Sequence, residues 1–357
     1  MSPPPRILVV GSGGIGGTIA ASLAQLHAVD PSVVGLPTVL VRRPELARAV
    51  RERGLRVVGT SEAHGRPAVI GDLSELDAPV DLALLATQPP QVEAAARAVV
   101  AALADDGALV CLQNGLCEER LAAEHGDDRV LGAVVSWGAS VVEPGVLERT
   151  SSGGFTLGSL QGEDRRLAGL ATALSCIGPA EITPNLRGAR WSKLAINAAI
   201  SSLGTLGGDR LGVLMRLRFI RRLALEIMTE VVAVAQVEGV ALEKVSGTLD
   251  LPWLALTEAE RAGRGPASMV AKHAVLLAVG TRYRKLRSSM LRAIEAGKEP
   301  AVDFLNGEVV DRGARHGIPT PVNAATRELV HAVAAGRERS SVETARRLME
   351  AVPGGGR

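Results

Sequence analysis

Lys193, Asn197 and Ser201 stand four residues apart in the run Arg190-Trp191-Ser192-Lys193-Leu194-Ala195-Ile196-Asn197-Ala198-Ala199-Ile200-Ser201. On a helix that spacing puts an amine, a carboxamide and a hydroxyl on one stripe. Leu194, Ala195, Ala198 and Ala199 flank the stripe, so Lys193 is expected to emerge from a largely buried helix, and a half-buried lysine demands a reason. Desolvation lowers the pKa of an ammonium and makes it a better proton donor near neutrality, while the amide and hydroxyl one and two turns along can orient it or a substrate oxyanion. A second reading fits these residues equally: a lysine at a domain seam, hydrogen-bonded to a carbonyl.

The second constellation is Gly11-Ser12-Gly13-Gly14-Ile15-Gly16, a G-x-G-x-x-G set between the apolar run Ile7-Leu8-Val9-Val10 and an Ala-rich helical stretch, Thr18 to Leu26, expected to begin near Ile15. Gly11 permits a tight turn, Gly13 lets the backbone reach a pyrophosphate, and Gly16 lets the helix pack closely on the strand. The anion would sit on the helix N-terminus, where unpaired N–H groups and the dipole favour negative charge. Arg42 and Arg43 follow the second strand, where an NAD-selective protein normally offers a carboxylate to the ribose. Two guanidinium groups suit a 2′-phosphate and hence NADP(H), unless they simply begin a solvated helix with Glu45. Gln113-Asn114-Gly115 ends another strand and places the Asn114 carboxamide at the carboxyl edge of the sheet, where ligands bind but where asparagine also serves as a plain turn former.

These residues need a scaffold, and the chain alternates short β-branched runs with helical stretches through its first half, the pattern of a parallel sheet covered by helices. Strands are expected at Ile7–Val10, Thr38–Val41, Leu82–Ala86, Ala108–Leu112 and Val130–Ser136, with helices at Gln91 to Leu103 and Glu118 to Glu124. Val142 to Leu160, punctuated by Glu143-Pro144-Gly145 and Ser151-Ser152-Gly153-Gly154, reads as a hairpin or meander that finishes the sheet. His27 to Pro37 reads as a long surface loop. From about Arg187 the periodicity is helical, over Trp191–Ser201, Ile220–Glu238 and Ser289–Ala296. The expected fold is α/β, an N-terminal Rossmann-type doubly wound sheet over 1–184, a mostly α-helical domain over 185–345, and a flexible tail over 346–357 that ends Pro353-Gly354-Gly355-Gly356-Arg357.

With 357 residues the chain is long enough for two domains. A net charge of +2 from 40 basic and 38 acidic residues, with 2% aromatics, argues against a nucleic-acid partner held by a basic field or by stacking. There is no apolar run of about 18 residues to span a bilayer, and the N-terminus lacks the organisation of a secretory signal. Cys111, Cys117 and Cys176 lack paired spacing, which suits a reducing cytoplasm and small buried hydrophobes. His125, His273 and His316 are not gathered with carboxylates into a metal site.

The motifs, in their order and spacing, resemble the ketopantoate reductases (2-dehydropantoate 2-reductases) over nearly the whole chain. They are the G-x-G-x-x-G set, Gln113-Asn114-Gly115, Pro144-Gly145-Val146 with Gly154 and Gly158, and Trp191-x-Lys193-x-x-x-Asn197. Ser288-Ser289-Met290, Asp303-Phe304-Leu305-Asn306-Gly307 and Gly317-Ile318-Pro319-Thr320-Pro321-Val322-Asn323 complete the series. The resemblance implies NADPH-dependent reduction of a small 2-keto acid, with Lys193 as general acid, Asn114 as a cofactor- and substrate-side amide, and Asn197 and Ser289 as substrate contacts. Three positions depart from the family pattern. Ala301 stands where the family has a substrate-contacting Glu, with Glu299 two residues away. Gln88 stands where it has a Lys after the third Rossmann strand, at the cofactor side, and Ser201 where it has a second substrate-side Asn. The scaffold is retained and the substrate shell altered, which leaves two rivals: a reductase of a different keto acid or an opine-like imine, and a catalytically silent NADP-binding regulatory protein. Neither a nucleic-acid nor a membrane partner is expected, and a homodimer is the self-association left open.

Overall fold

Ile7-Leu8-Val9-Val10 forms β1 (Ile7–Val10) with every residue buried, because branched apolar side chains suit a strand covered on both faces. The computed structural model describes residues 4–244 and 249–352. The remaining strands are β2 (Thr38–Leu40), β3 (Leu55–Gly59), β4 (Ala63–Gly65), β5 (Ala68–Ile70), β6 (Val80–Leu85), β7 (Leu103–Cys111), β8 (Val130–Val135), β9 (Ala139–Glu143), β10 (Val146–Arg149), β11 (Phe155–Ser159) and β12 (Ala180–Ile182). Eight of them form a sheet in the order β12-β11-β8-β7-β6-β1-β2-β5, parallel throughout except where β11 runs against β8. β1 is flanked by β2 on one side and β6 on the other, so the chain leaves it in both directions and its carboxyl end is a topological switch point.

Helices α1 (Gly14–Val29), α2 (Pro44–Arg53), α3 (Val92–Val99), α4 (Cys117–His125) and α5 (Arg166–Leu174) belong to this first unit, which comprises Met1–Gln113 and Cys117–Leu186. Its core is an apolar cluster drawn from β1, β2, β6, β7, β8 and α1, with Val9, Val39, Leu84 and Val110 fully buried. The hairpin of β9 and β10 does not finish the main sheet as expected. It forms a separate four-stranded sheet in the order β4-β3-β10-β9, and only β11 returns to the main one. The reason is non-local: β10 pairs in parallel with β3, Leu147 opposite Val57. The expected loop from His27 is also shorter. α1 runs on to Val29, and Val34 is fully buried with its carbonyl 2.9 Å from His27 Nδ1.

The second unit comprises Asn114–Leu116 and Arg187–Arg357. Its helices are α6 (Leu186–Gly207), α7 (Leu211–Leu214), α8 (Arg218–Val237), α9 (Leu251–Leu254), α10 (Glu258–Arg261), α11 (Pro266–Arg282), α12 (Ser289–Glu295), α13 (Asn306–Arg315), α14 (Pro321–Ala334) and α15 (Val342–Arg346). Trp191, Leu194, Ala195 and Ala198 of α6 join Leu223, Ile227 and Val231 of α8 in its core. The tail expected from 346 is held as far as Val352, because Leu348 and Val352 are buried in that core; Pro353 to Arg357 lie outside the described residues. Cys111 and Cys117 are buried, but Cys176 is exposed, a correction to the expectation for all three. Its sulfur turns back to Ala173 O at 3.2 Å, and burial of that atom pushes the thiol up to about 11. Among the described residues no helix is long and apolar enough to cross a membrane.

Candidate active site

In the first unit, the glycine loop at the carboxyl end of β1 has the geometry of an anion cradle. Gly11 takes a φ of +110°, and a Cβ there would stand 2.9 Å from Ala86 O, so a side chain is excluded both by conformation and by the backbone just after β6. A Cβ on Gly16 would come within 2.0 Å of Gly11 O and 2.7 Å of Ala86 Cβ. α1 is thereby drawn hard against the end of β1. Gly13 differs, since a Cβ there would meet nothing within 4 Å. It is the N-cap of α1, no side chain caps the helix, and no acidic residue stands in its first turn. The first-turn N–H groups therefore face an open approach with no competing negative charge, an arrangement that fits a pyrophosphate. Ser12 and Ile15 lie in the same loop, Gly14 packs against Ala139 O, and Gly13 is exposed.

Arg42 and Arg43 are both exposed just beyond β2, with Arg43 as the N-cap of α2. A carboxylate does approach this end of the sheet, contrary to the bare sequence. Asp72 follows the neighbouring β5. Hydrogen bonds from the Ser74 backbone N–H and hydroxyl hold its carboxyl below the usual range, and the Arg42 charge adds to the effect. Gln88 is exposed beyond β6 and caps a short 3-10 turn.

Gln113 had no role from sequence alone, yet it is a strut. Its amide nitrogen donates to Leu85 O at 2.8 Å and Thr87 O at 3.1 Å, tying the carboxyl ends of β6 and β7 together. The next residue, Asn114, is half-buried and groups with the second unit. Gly115 has a φ of +99°, and a Cβ there would fall 2.4 Å from Phe304 O, so the Asn114 turn needs glycine after it.

In the second unit Lys193, Asn197 and Ser201 lie on α6, all half-buried, between Leu194, Ala195, Ala198 and Ala199, which are at most 1% exposed. Asn197 Nδ2 is buried and makes no hydrogen bond to any described residue. Ser201 is joined to the start of α12: Ser288 Oγ donates to Ser201 O at 2.8 Å and lies 2.9 Å from Thr205 Oγ1. Because Ser288 is spent on α6 and on capping α12 through Leu291 N, Ser289 is the serine left exposed beside it. Ala301 is half-buried at the start of a 3-10 turn, and Glu299 is exposed before it. Ser201, at the end of the stripe, and the Ser288–Ser289 segment are thus brought together within one unit, while the glycine loop, Arg42, Arg43 and Gln88 gather at the carboxyl edge of the sheet in the other.

The family model described as Ketopantoate reductase PanE/ApbA matches residues 7–162. The model described as Ketopantoate reductase PanE/ApbA C terminal matches residues 185–334. The 2-dehydropantoate 2-reductase of Halobacterium salinarum is 31% identical over 332 residues, covering 91% of this chain and 97% of that protein. The enzyme of the same name from Archaeoglobus fulgidus is 26% identical over 336 residues, covering 93% and 98%. Among solved structures, the PanE/ApbA family ketopantoate reductase from Ralstonia eutropha superposes with a TM-score of 0.74 at 24% identity, over 93% of this chain and 99% of that one. D-mandelate dehydrogenase in its ternary structure with NADH and anilino(oxo)acetate gives 0.75 at 21% identity, over 93% and 99%. At such identities these two structures establish a shared fold.

Proposed function

We propose a reaction from one established premise: the chain belongs to the ketopantoate reductase family, whose two models together match most of its length. It is an oxidoreductase that uses a pyridine nucleotide to reduce a 2-keto acid to the 2-hydroxy acid, as its 2-dehydropantoate 2-reductase relatives are named for doing. The observation that carries the assignment of the site is Asn197. An amide nitrogen buried without a partner costs roughly 1–3 kcal/mol, and a substrate oxygen on the Lys193 stripe would relieve it.

In this reading the Gly11 to Gly16 loop, Ser12, Gly14 and Ile15 included, holds the dinucleotide at the N-terminus of α1, with Gln88 and Asn114 on the cofactor side. Arg42 and Arg43 favour NADP(H) over NAD(H). The nucleotide, when bound, supplies a hydride to the carbonyl carbon. Lys193 holds a proton at the carbonyl oxygen and releases it as that oxygen gains charge, and its own charge stabilises the alkoxide. Asn197, Asn114, Ser201 and Ser289 orient the substrate. Unpaired cysteine spacing supports a cytoplasmic enzyme, and the partner is a small keto acid, with neither nucleic acid nor membrane. Self-association, where present, would be a homodimer.

A second reading of the substrate rests on Ala301. Without a carboxylate there, the hydroxyl of ketopantoate loses an acceptor at a cost of roughly 1–3 kcal/mol, so a keto acid with an apolar branch is the better fit. Oxidation of NADPH should be followed with ketopantoate and with an isosteric keto acid lacking the hydroxyl, in the wild type and in Ala301→Glu. The expected result is a wild-type preference for the isostere that Ala301→Glu reverses. A strong wild-type preference for ketopantoate removes the Ala301 argument, and no oxidation of NADPH or NADH with any 2-keto acid removes the reductase itself.

A further inference from the structure

Asn306 and Asn323 belong to two sequence motifs for which the reaction above has no task. Both are fully buried, and each amide uses both of its N–H donors and accepts a hydrogen bond at its oxygen. The chain of bonds begins at Glu230 on α8. Its Oε1 accepts the Val322 N–H at 2.9 Å, and its Oε2 accepts the Asn323 N–H at 2.8 Å and Asn323 Nδ2 at 2.7 Å, so the carboxylate caps the buried N-terminus of α14.

An ionised carboxylate only accepts, which gives the relay a direction. Asn323 must turn its nitrogen toward Glu230 and Ile227 O, the latter at 3.2 Å, leaving its oxygen for Asn306 Nδ2 at 2.9 Å. With its nitrogen committed there and to Ala198 O at 3.3 Å, Asn306 presents its oxygen to the Ser202 hydroxyl at 2.5 Å. Ala198 and Ser202 are the residues next after Asn197 and Ser201 on α6. Around Asn197 the buried side of α6 is Leu194, Ala195, Ala198, Ala199 and Ser202, mostly small side chains whose packing alone leaves room for a slight rotation of the helix. Directional hydrogen bonds do oppose it.

We infer that Asn306 is a positioning residue: with Asn323 and Glu230 it fixes the rotation of α6 and thereby the aim of Lys193 and Asn197. The inference rests on the reading of that stripe as the substrate-facing one. A working site tolerates roughly 10–20° of misorientation, and about 1 Å of misplacement can slow a reaction by about 10²-fold. Asn306 touches no reacting atom; it acts through α6.

The test is single-turnover oxidation of saturating nucleotide by stopped flow on the full chain, with the best 2-keto acid of a panel. Amplitude counts the molecules that are folded and loaded, and the rate constant reports how the acid is aimed. Asn306→Leu should lower the rate constant about 10–100-fold. Ser202→Ala, a smaller change that covers the case in which Asn306→Leu does not fold, should lower it about 3–10-fold, with Ser202→Thr restoring it. A rate constant unchanged in Ser202→Ala, with only amplitude or melting temperature reduced, means the relay is structural and overturns the inference. Lys193→Ala run alongside separates the two ideas. If it keeps the wild-type rate constant, the reading of the stripe fails; if it is slow while Ser202→Ala is normal, the relay alone fails.

Discussion

In the first unit the sheet is lined by Ile, Val, Leu and Ala, and among the described residues its buried charges are Glu118 and Arg149, whereas the second unit buries Arg190, Glu226, Glu230, Glu260, Lys272, Glu308 and Arg312. The two units meet different demands. A parallel sheet ends in backbone N–H groups and glycine turns, so an anion can be held by main chain alone and the core can stay apolar. Helices spend their backbone groups on themselves, so a site built on them must be made of side chains, and those charges must be held where water is scarce. Glu226 accordingly lies 2.6 Å from Arg222 and 2.8 Å from Arg261. Lys272 lies 2.6 Å from Glu260, and Arg312 bridges Glu308 and Glu238 at 3.1 Å each, with its guanidinium over the Trp191 ring. Removing one partner of such a pair typically costs about 3–5 kcal/mol.

The sharpest way to break this division is to remove chemistry from the second unit and ask whether the first one notices. Lys193→Ala should lower kcat by roughly 10²–10⁴, the range for a positioned acid, while nucleotide affinity stays within about twofold. Loss of nucleotide binding with turnover preserved at saturation would make Lys193 a binding residue and dissolve the separation of labour.

Acid should then find the second unit first. His273 is held down to about 4 by burial and by Arg221, Arg218 and Arg222. Burial of Glu260 would raise its carboxyl, but Lys272, Ser268 and Thr257 outweigh that and bring it down to about 2. In both cases the unfolded chain binds the proton more tightly. The stability tied to His273 is therefore present above its ordinary value and lost as pH falls toward about 4, and that tied to Glu260 is lost between its ordinary value and about 2. Glu260 should contribute on the order of 2–3 kcal/mol, and His273, partly in solvent, less. Glu230 acts in the opposite sense, because burial raises its carboxyl despite three hydrogen bonds. Fluorescence of variants retaining Trp137 alone or Trp191 alone should report the second unit loosening at higher pH. Simultaneous loss at both tryptophans would remove the contrast.

What could be read in advance divides along the same line. β1 was legible to the residue, since four branched residues end at a glycine, and the Lys193 stripe was legible because a helix repeats locally. β3 was not, because Arg56 and Gly59 interrupt it, its near partner β4 is only Ala63-His64-Gly65, and its other partner β10 lies about 90 residues away. β7 begins earlier than expected, at Leu103, where the helix expected from Gln91 was to end, since exposed Asp105 and Asp106 disguise the first residues of the strand. Glu230 falls inside the periodic run Ile220–Glu238, whose spacing gives a helix and no sign of a capping carboxylate. Its partners, Val322 and Asn323, are 92 and 93 residues further on, and no local pattern announces such a pair.

The same comparison is sharpened at the sheet edge by Arg43→Ala. Losing a charge-assisted contact to phosphate should cost on the order of 1.5–3 kcal/mol, so NADPH should weaken much more than NADH in parallel titrations. Asp72 beside Arg42 makes Arg43 the freer of the two cations, so Arg42→Ala should do less. Equal weakening of both nucleotides by Arg43→Ala, or a wild-type preference for NADH, would remove the NADP assignment.

The smallest expected effects separate glycines kept for packing from one kept for a ligand. A methyl group on Gly16 would fall 2.0 Å from Gly11 O, and on Gly13 it would meet nothing within 4 Å. Gly16→Ala should therefore destabilise the first unit by roughly 1–3 kcal/mol, as forced overpacking does, and lower its melting temperature. Gly13 has a φ of −74°, which alanine adopts freely, so Gly13→Ala should lose no more than about 1 kcal/mol, the cost of alanine as an N-cap. Its larger cost should appear when the pyrophosphate approaches the N-terminus of α1, as a loss of about tenfold in nucleotide affinity, or roughly 1.4 kcal/mol. Calorimetry with and without NADPH measures both quantities on the same samples. If Gly13→Ala binds normally, the open ground above Gly13 is not where the anion sits, and the claim that the first unit builds its site from backbone loses its main support.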